Sequence, residues 1–143
     1  MGRVLIVDDE RNMCELIATD LKLRGVESRW CTSANDAFRL FRDEPFDVVL
    51  TDVRMPGTTG LQLCKQLTDM RPDIPVVVMT AFGSMETAVE AIRAGAYDFV
   101  TKPIEMDMLA LLLERAFRHR NLQQKVKVLS AAVKLSLSLD TAS

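Results

Sequence analysis

Residues 4–9 read Val4-Leu5-Ile6-Val7-Asp8-Asp9, a short apolar run closed by two carboxylates. Three further runs have the same form. Val48-Val49-Leu50-Thr51 leads into Asp52, Val76-Val77-Val78-Met79 into Thr80, and Tyr97-Asp98-Phe99-Val100 is followed by Lys102 and Pro103. Short runs rich in β-branched residues and bounded by polar residues read as strands. In a parallel sheet the strand exits share one edge. Three carboxylates, a hydroxyl and an ammonium, far apart in sequence, are thereby brought toward one site.

The stretches between these runs have helical spacing. Met13, Leu16, Ile17 and Leu21 mark one face of a first helix, stopped by Gly25. Residues 26–31 read as a second strand, less apolar and so at an edge. Ser33 caps the next helix, with Asp36 in its first turn and Ala37, Leu40 and Phe41 as the buried stripe. Residues 46–51 form a third strand, apolar enough to be covered on both faces. Met55-Pro56-Gly57 breaks the chain, and Leu61, Cys64 and Leu67 mark a third helix. Pro72 and Pro75 precede the fourth strand. Ser84 caps a fourth helix with Ala88, Val89 and Ile92 inward and Gly95 at its end. A last helix begins near Glu105.

Five β-α units in succession predict an α/β fold with a parallel sheet, right-handed crossovers and helices on both faces. For five strands the expected order is 2-1-3-4-5. The ligand crevice then lies beside strands one and three, which end at Asp8, Asp9 and Asp52.

The last helix has no stop signal where the domain ends. Arg115, Arg118 and Arg120 read as a basic helix surface, and His119 as a solvated residue. Leu122, Val126, Leu129 and Val133 then recur at alternating spacings of four and three, the seam of a short coiled coil. The seam suits either a dimer contact or packing against a further domain. Residues 1–120 are expected to form the domain. Residues 121–143 are expected to form a helical linker, frayed at its end, toward an output domain.

Composition narrows the function. Of 143 residues, 48% are hydrophobic and 27% charged, a globular rather than disordered profile. The net charge of −2 argues against nucleic-acid binding by this segment. No apolar run is long enough to span a bilayer. Met1-Gly2-Arg3 runs straight into a strand, so the expectation is a cytoplasmic chain without a signal peptide. Cys14, Cys31 and Cys64 are widely spaced and fit reduced, buried thiols. Trp30, on the edge strand, is expected to pack rather than bind a ligand.

Clustered carboxylates either share protons or bind a cation. Oxygen ligands alone suit a hard ion, Mg²⁺ or Mn²⁺. Lys102 has no acceptor and cannot be a ligand, but it pairs with an anion held by such an ion. Thr80 offers that anion a hydroxyl donor. This is the compensation a transferring phosphoryl group needs. Asp52 is the natural nucleophile and needs no general base.

These residues resemble the receiver domain of two-component response regulators. The resemblance rests on Val-Asp8-Asp9-Glu, Thr-Asp52-Val-Arg-Met-Pro56-Gly, Met-Thr80-Ala81-Phe and Phe99-Val-Thr-Lys102-Pro103, in order over about residues 1–117. The stretch from Thr80 to Pro103 is similar to receivers of the nitrogen-regulator type, which commonly precede an ATPase that activates sigma-54 polymerase. The resemblance implies a flavodoxin-like (CheY-like) fold and a phosphorylatable switch rather than an enzyme acting on other substrates. It implies that Asp52 accepts a phosphoryl group from the phosphohistidine of a sensor histidine kinase. Asp9 and Asp52 would ligate Mg²⁺ directly, Asp8 through water, and the backbone carbonyl of Arg54 would complete the set. Lys102 would pair with the phosphoryl group, and its bond to Pro103 would be cis. Thr80 would swing toward the phosphoryl group with Phe99 following inward, Phe82-Gly83 would be pulled, and Ala81 would leave room for the donor. The face of the fourth helix, fifth strand and last helix would then shift. That face and the linker helix are the expected homodimer surfaces.

Two other classes fit less well. A phosphohydrolase with an aspartyl nucleophile usually carries a second Asp two residues on, where this chain has Arg54. A flavin electron carrier needs a Ser/Thr/Gly-rich loop after the first strand, where this chain has Asp8-Asp9-Glu10-Arg11-Asn12. A pseudo-receiver acting without phosphorylation keeps the fold and abandons the chemistry, although all the key residues are present.

Overall fold

The computed structural model describes residues 2–55, 57–81 and 85–142, the last four of these by backbone alone. Five strands, β1 (Arg3–Val7), β2 (Glu27–Cys31), β3 (Val48–Asp52), β4 (Val76–Ala81) and β5 (Asp98–Lys102), alternate with five helices. The helices are α1 (Arg11–Leu23), α2 (Ala34–Asp43), α3 (Gly60–Met70), α4 (Met85–Arg93) and α5 (Met106–Ala142). All strands pair in parallel in the order β2-β1-β3-β4-β5. The less apolar β2 is an edge strand, as its composition predicts.

Each central strand sends alternate side chains to opposite faces. Leu5, Val7, Val49, Val76 and Val78 join Ala37, Phe41, Leu63 and Leu67 in a core beneath α2, α3 and Ala91 of α4. Val4, Ile6, Leu50, Val77 and Met79 join Cys14, Ile17, Leu21, Leu109 and Leu113 beneath α1 and α5. Covering on both faces explains why β1, β3 and β4 are continuous apolar runs.

Helix ends follow local chemistry. The Ser33 hydroxyl accepts from the Asp36 amide at 3.2 Å and caps α2. Gly25 takes a φ of 81° after α1, a conformation other residues adopt at a cost. Thr59 and Gln62 form a reciprocal capping box at the start of α3. The expected cap at Ser84 lies outside the described residues.

The helix faces differ in part from the sequence reading. On α1 the buried stripe is Cys14, Ile17 and Leu21, while Leu16 is 62% exposed. On α3 Leu63 is buried and Leu61 only half-buried. On α4 the small residues Ala88 and Ala91 face the sheet, and Val89 and Ile92 are 41% and 46% exposed. Two alanines let this short helix lie close to the sheet, which turns its larger side chains outward. Met85, Val89 and Ile92, at i, i+4 and i+7, line that outer face.

α5 is one continuous helix to Ala142. No Gly or Pro interrupts it, and its residues are mostly good helix formers. It packs on the sheet through Leu109, Leu113, Ala116 and Phe117. From residue 121 to 138 every side chain is exposed, the Leu122-Val126-Leu129-Val133 seam included. His119 is half-buried, its ring 4.9 Å from that of Tyr97, rather than solvated. Arg120 is not a surface residue either. It is 5% exposed and lies 3.3 Å from Asp73, which also receives a two-pronged contact from Arg71 at 3.0 and 3.1 Å.

Trp30 packs on the α1/α5 side, with the Arg11 guanidinium 5.4 Å above its ring. The three thiols are free and buried. Burial pushes the Cys14 thiol up to about 12, helped by the charge of Asp8, and pushes Cys31 and Cys64 up to about 11. We expect no reaction with an aromatic disulfide reagent at pH 8 in the native state and three equivalents after unfolding, since only the thiolate attacks. Rapid labelling of native protein would contradict this packing.

Candidate functional site

Parallel pairing places the ends of β1, β3, β4 and β5 at one edge of the sheet. Asp8 directly follows β1. It is fully buried, and its Oδ1 accepts from the Glu10 amide at 3.0 Å. Asp9 is exposed. Asp52 is the last residue of β3, 8% exposed, and its Oδ1 accepts a long 3.4 Å contact from the Arg54 amide. One carboxylate oxygen from each of Asp8, Asp9 and Asp52 lies within 4.8 Å of the others.

Lys102, the last residue of β5, reaches this cluster. Its Nζ donates to Asp8 Oδ2 at 3.1 Å and to Asp52 Oδ2 at 3.2 Å. Burial alone pulls the ammonium toward its neutral form, but the two carboxylates reverse this and hold it above its ordinary value. Burial and the neighbouring Asp8 charge raise the Asp52 carboxyl, and Lys102 and the Arg54 amide offset them only in part. The two upward shifts are compatible: one ammonium serves two carboxylates, so Lys102 gains more than Asp52. The site has an excess of negative charge that one more cation relieves.

The donor set fits a hard divalent ion. Across an octahedral Mg²⁺ with bonds of about 2.1 Å, opposite oxygens lie roughly 4 Å apart, close to the spread of the three carboxylates. Among the described residues this is the one such cluster of three.

The other sequence candidates stand around this centre. Thr80, on β4, is buried, and its hydroxyl makes a long 3.5 Å contact to the Val100 carbonyl. Ala81, opposite Lys102 in the β4–β5 register, is exposed. Phe99 is half-buried against the core on the α2/α3 side. The Lys102–Pro103 bond is cis. Arg54 is exposed and, with Asp9, Thr59 and Glu90, lines an open cavity of about 450 Å³. Pro56 and Phe82-Gly83 lie outside the described residues.

One residue beside the site has no counterpart in the sequence reading. Gly60 opens α3, and its amide donates to the Val53 carbonyl at 2.8 Å. A Cβ at this position would lie 1.9 Å from the Asp52 carbonyl oxygen and 2.7 Å from the Val53 Cα. A lone glycine at a helix start carries no signal of such closeness.

The profile of the response regulator receiver domain matches residues 4–114. The chain is 38% identical over 136 residues to the regulatory protein AtoC of Escherichia coli K12, covering 95% of this chain and 30% of AtoC. The crystal structure of NtrX from Brucella abortus superposes with a TM-score of 0.84 at 37% identity, over 90% of this chain and 29% of NtrX. The separate NtrX receiver domain superposes at 0.77 and 38% identity, over 80% of this chain and 98% of that domain. The chain thus spans about 30% of the length of its longer relatives. Fold, strand order and matched span agree with the resemblance read from the four motifs, and the chain belongs to the response regulator receiver domain family.

Proposed function

We propose that this chain is the phosphorylatable switch of a two-component phosphorelay. In this reading Asp52 takes a phosphoryl group from a phosphohistidine of a sensor histidine kinase. The observation that carries it is the buried pair Asp8 and Asp52, bridged by Lys102 and joined by Asp9. Asp9 and Asp52, the Arg54 carbonyl, and Asp8 through water would hold Mg²⁺ or Mn²⁺. When bound, the ion supplies positive charge for the phosphoryl oxygens.

An Asp52 oxygen attacks phosphorus as the P–N bond to the donor imidazole breaks. The imidazole keeps the bonding electrons and takes up a proton. Asp52 is left as an acyl phosphate. Lys102 turns from the carboxylates to the new phosphoryl oxygens, and exposed Ala81 leaves room for the donor. The Thr80 hydroxyl, poorly held at 3.5 Å by Val100, gains a better acceptor in the phosphoryl group. Its movement opens space for half-buried Phe99, and the α4-β5-α5 face changes its packing.

The exposed apolar side chains of Met85, Val89 and Ile92 on that face, and the linker seam from Leu122 to Val133, suit homodimer formation. Residues 1–120 act as the receiver and 121–143 as a linker to an output domain. The output is sigma-54-dependent transcription activation, in keeping with the nitrogen-regulator resemblance. This segment itself binds neither nucleic acid nor membrane and works in the cytoplasm.

Incubation with phosphoramidate, a small P–N donor, and Mg²⁺ tests the reaction. The expected product is one phosphoryl adduct per chain, removed by hydroxylamine as an acyl phosphate is. A hydroxylamine-stable adduct would place the phosphoryl group on another side chain and contradict the assignment.

A further inference from the structure

We infer that Gly60 is a positioning residue for the phosphoacceptor: its missing side chain lets the first turn of α3 seat the main chain of Asp52. The inference rests on the reading of Asp52 given above. Three observations support it. The Gly60 amide donates to the Val53 carbonyl at 2.8 Å, which ties the start of α3 to the residue after Asp52. The capping box holds that turn rigid, with Thr59 Oγ1 accepting from the Gln62 amide at 3.2 Å and Gln62 Oε1 accepting from the Thr59 amide at 2.9 Å. A Cβ at position 60 would meet the Asp52 carbonyl oxygen at 1.9 Å, the Asp52 carbonyl carbon at 2.8 Å and the Val53 Cα at 2.7 Å.

All three of those atoms are backbone, so no side-chain rotation relieves the overlap. Either α3 or the end of β3 must withdraw, by about 1 Å or more given that real Cβ contacts stay beyond 3.0 Å. β3 is paired on both sides as far as Thr51, and Asp52 pairs only with Met79 of β4. The Gly60 amide is bonded to the Val53 carbonyl, so a withdrawal of α3 pulls on the exit of β3 next to the acceptor carboxylate. A misplacement of this size in a site built from several groups costs up to about 10²-fold in what the site does.

Gly57 is the internal control. It lies in the same connection, has a φ of 79°, and has no atom of the described residues within 4 Å of a Cβ. Gly57→Ala strains the backbone without touching Asp52. Wild type, Gly60→Ala and Gly57→Ala are compared for Mn²⁺ affinity by electron paramagnetic resonance of the free ion, for melting temperature, and by metal-free crystal structures.

Both variants are expected to melt lower than wild type. Gly60→Ala is expected to bind Mn²⁺ at least tenfold more weakly and to lose the 3.2 Å Lys102–Asp52 contact. Gly57→Ala is expected to keep Mn²⁺ affinity within about twofold, because an added Cβ there meets no atom of the described residues within 4 Å. Mn²⁺ affinity in Gly60→Ala within twofold of wild type, with that contact intact, would overturn the inference. Should Gly60→Ala not fold, Thr59→Ala loosens the same turn without adding atoms. A loss of affinity of threefold or more then supports the inference, and unchanged affinity overturns it. If wild type itself does not bind Mn²⁺, the reading of the carboxylates as metal ligands fails. The Lys102–Asp52 distance in the two crystals then still decides on Gly60.

Discussion

Lys102→Met is expected to destabilise the metal-free protein by about 3 kcal/mol, with most of the loss restored by saturating Mg²⁺. The Lys102 ammonium is the one cation within hydrogen-bond reach of Asp8 and Asp52 among the described residues. The Asp8 side chain is fully buried and that of Asp52 is 11% exposed. Methionine keeps the length of the stem and removes the charge, so two adjacent carboxylates are left without a counter-ion. Breaking a buried pair from one side costs about 3–5 kcal/mol, and the partial exposure of Lys102 places this case near the lower end.

The pH dependence has a definite sign. Burial and Asp8 already raise the Asp52 carboxyl, and loss of Lys102 raises it further. A carboxyl raised on folding destabilises the protein above its folded pKa, and the cost fades as pH falls through that value. The variant's deficit should therefore shrink on acidification. Urea melts in EDTA and in Mg²⁺, at neutral and at mildly acidic pH, check both statements. Equal stability of variant and wild type in EDTA would show that Lys102 does not neutralise this cluster.

Asp73→Asn is the second large effect, at about 3 kcal/mol, and it should exceed that of Arg120→Met. Asp73 serves two guanidiniums, Arg71 on the surface and Arg120 in the interior. Arg120 lies where α5 leaves the domain, and its Nε and Nη1 are buried without a hydrogen bond. The 3.3 Å approach of Nη1 to Asp73 is thus an ionic contact with poor hydrogen-bond alignment. Removing the carboxylate charge strands a buried cation. Removing the cation leaves Asp73 still held by Arg71, and methionine fills the space. The asymmetry distinguishes electrostatics from packing, since a packing role would make Arg120→Met the worse change.

Acid acts in the same direction. Arg71, by its hydrogen bonds, holds the Asp73 carboxyl below its ordinary value, with Arg120 adding to the effect. A carboxyl lowered on folding contributes stability above its unfolded pKa, about 3.9, and that contribution is lost as pH falls further through the folded value. Wild type should lose this share of its stability below about pH 4, and Asp73→Asn should not. Urea midpoints of the three proteins between pH 3 and pH 7 test this. Parallel pH curves for wild type and Asp73→Asn would contradict it.

The sheet and its functional edge were legible because β1, β3 and β4 are largely apolar runs with a polar residue at or next to their exits, and β5 ends in Lys102. Asp8, Asp52 and Lys102 meet as the parallel-sheet argument requires. The outward faces of the helices were less legible. On α4 the periodicity puts Ala88, Val89 and Ile92 inward, but of these the sheet takes only Ala88, together with Ala91. Spacing alone does not say whether bulk or close approach wins. Arg120 was misread because its partner Asp73 lies before β4, and a charge's burial depends on a neighbour distant in sequence. Gly60 gave no warning for a related reason: only the three-dimensional approach of α3 to Asp52 shows why a side chain is excluded.

Intact-protein mass after incubation with acetyl phosphate tests whether Asp52 is a metal-dependent phosphoryl acceptor. Wild type and Asp52→Asn are run in parallel, each with Mg²⁺ and with EDTA. A single phosphoryl adduct is expected on wild type in Mg²⁺, absent in EDTA and absent in the variant under both conditions. No adduct on folded wild-type protein in Mg²⁺, or an equal adduct on Asp52→Asn, would contradict it, and the first of these results would point to a pseudo-receiver.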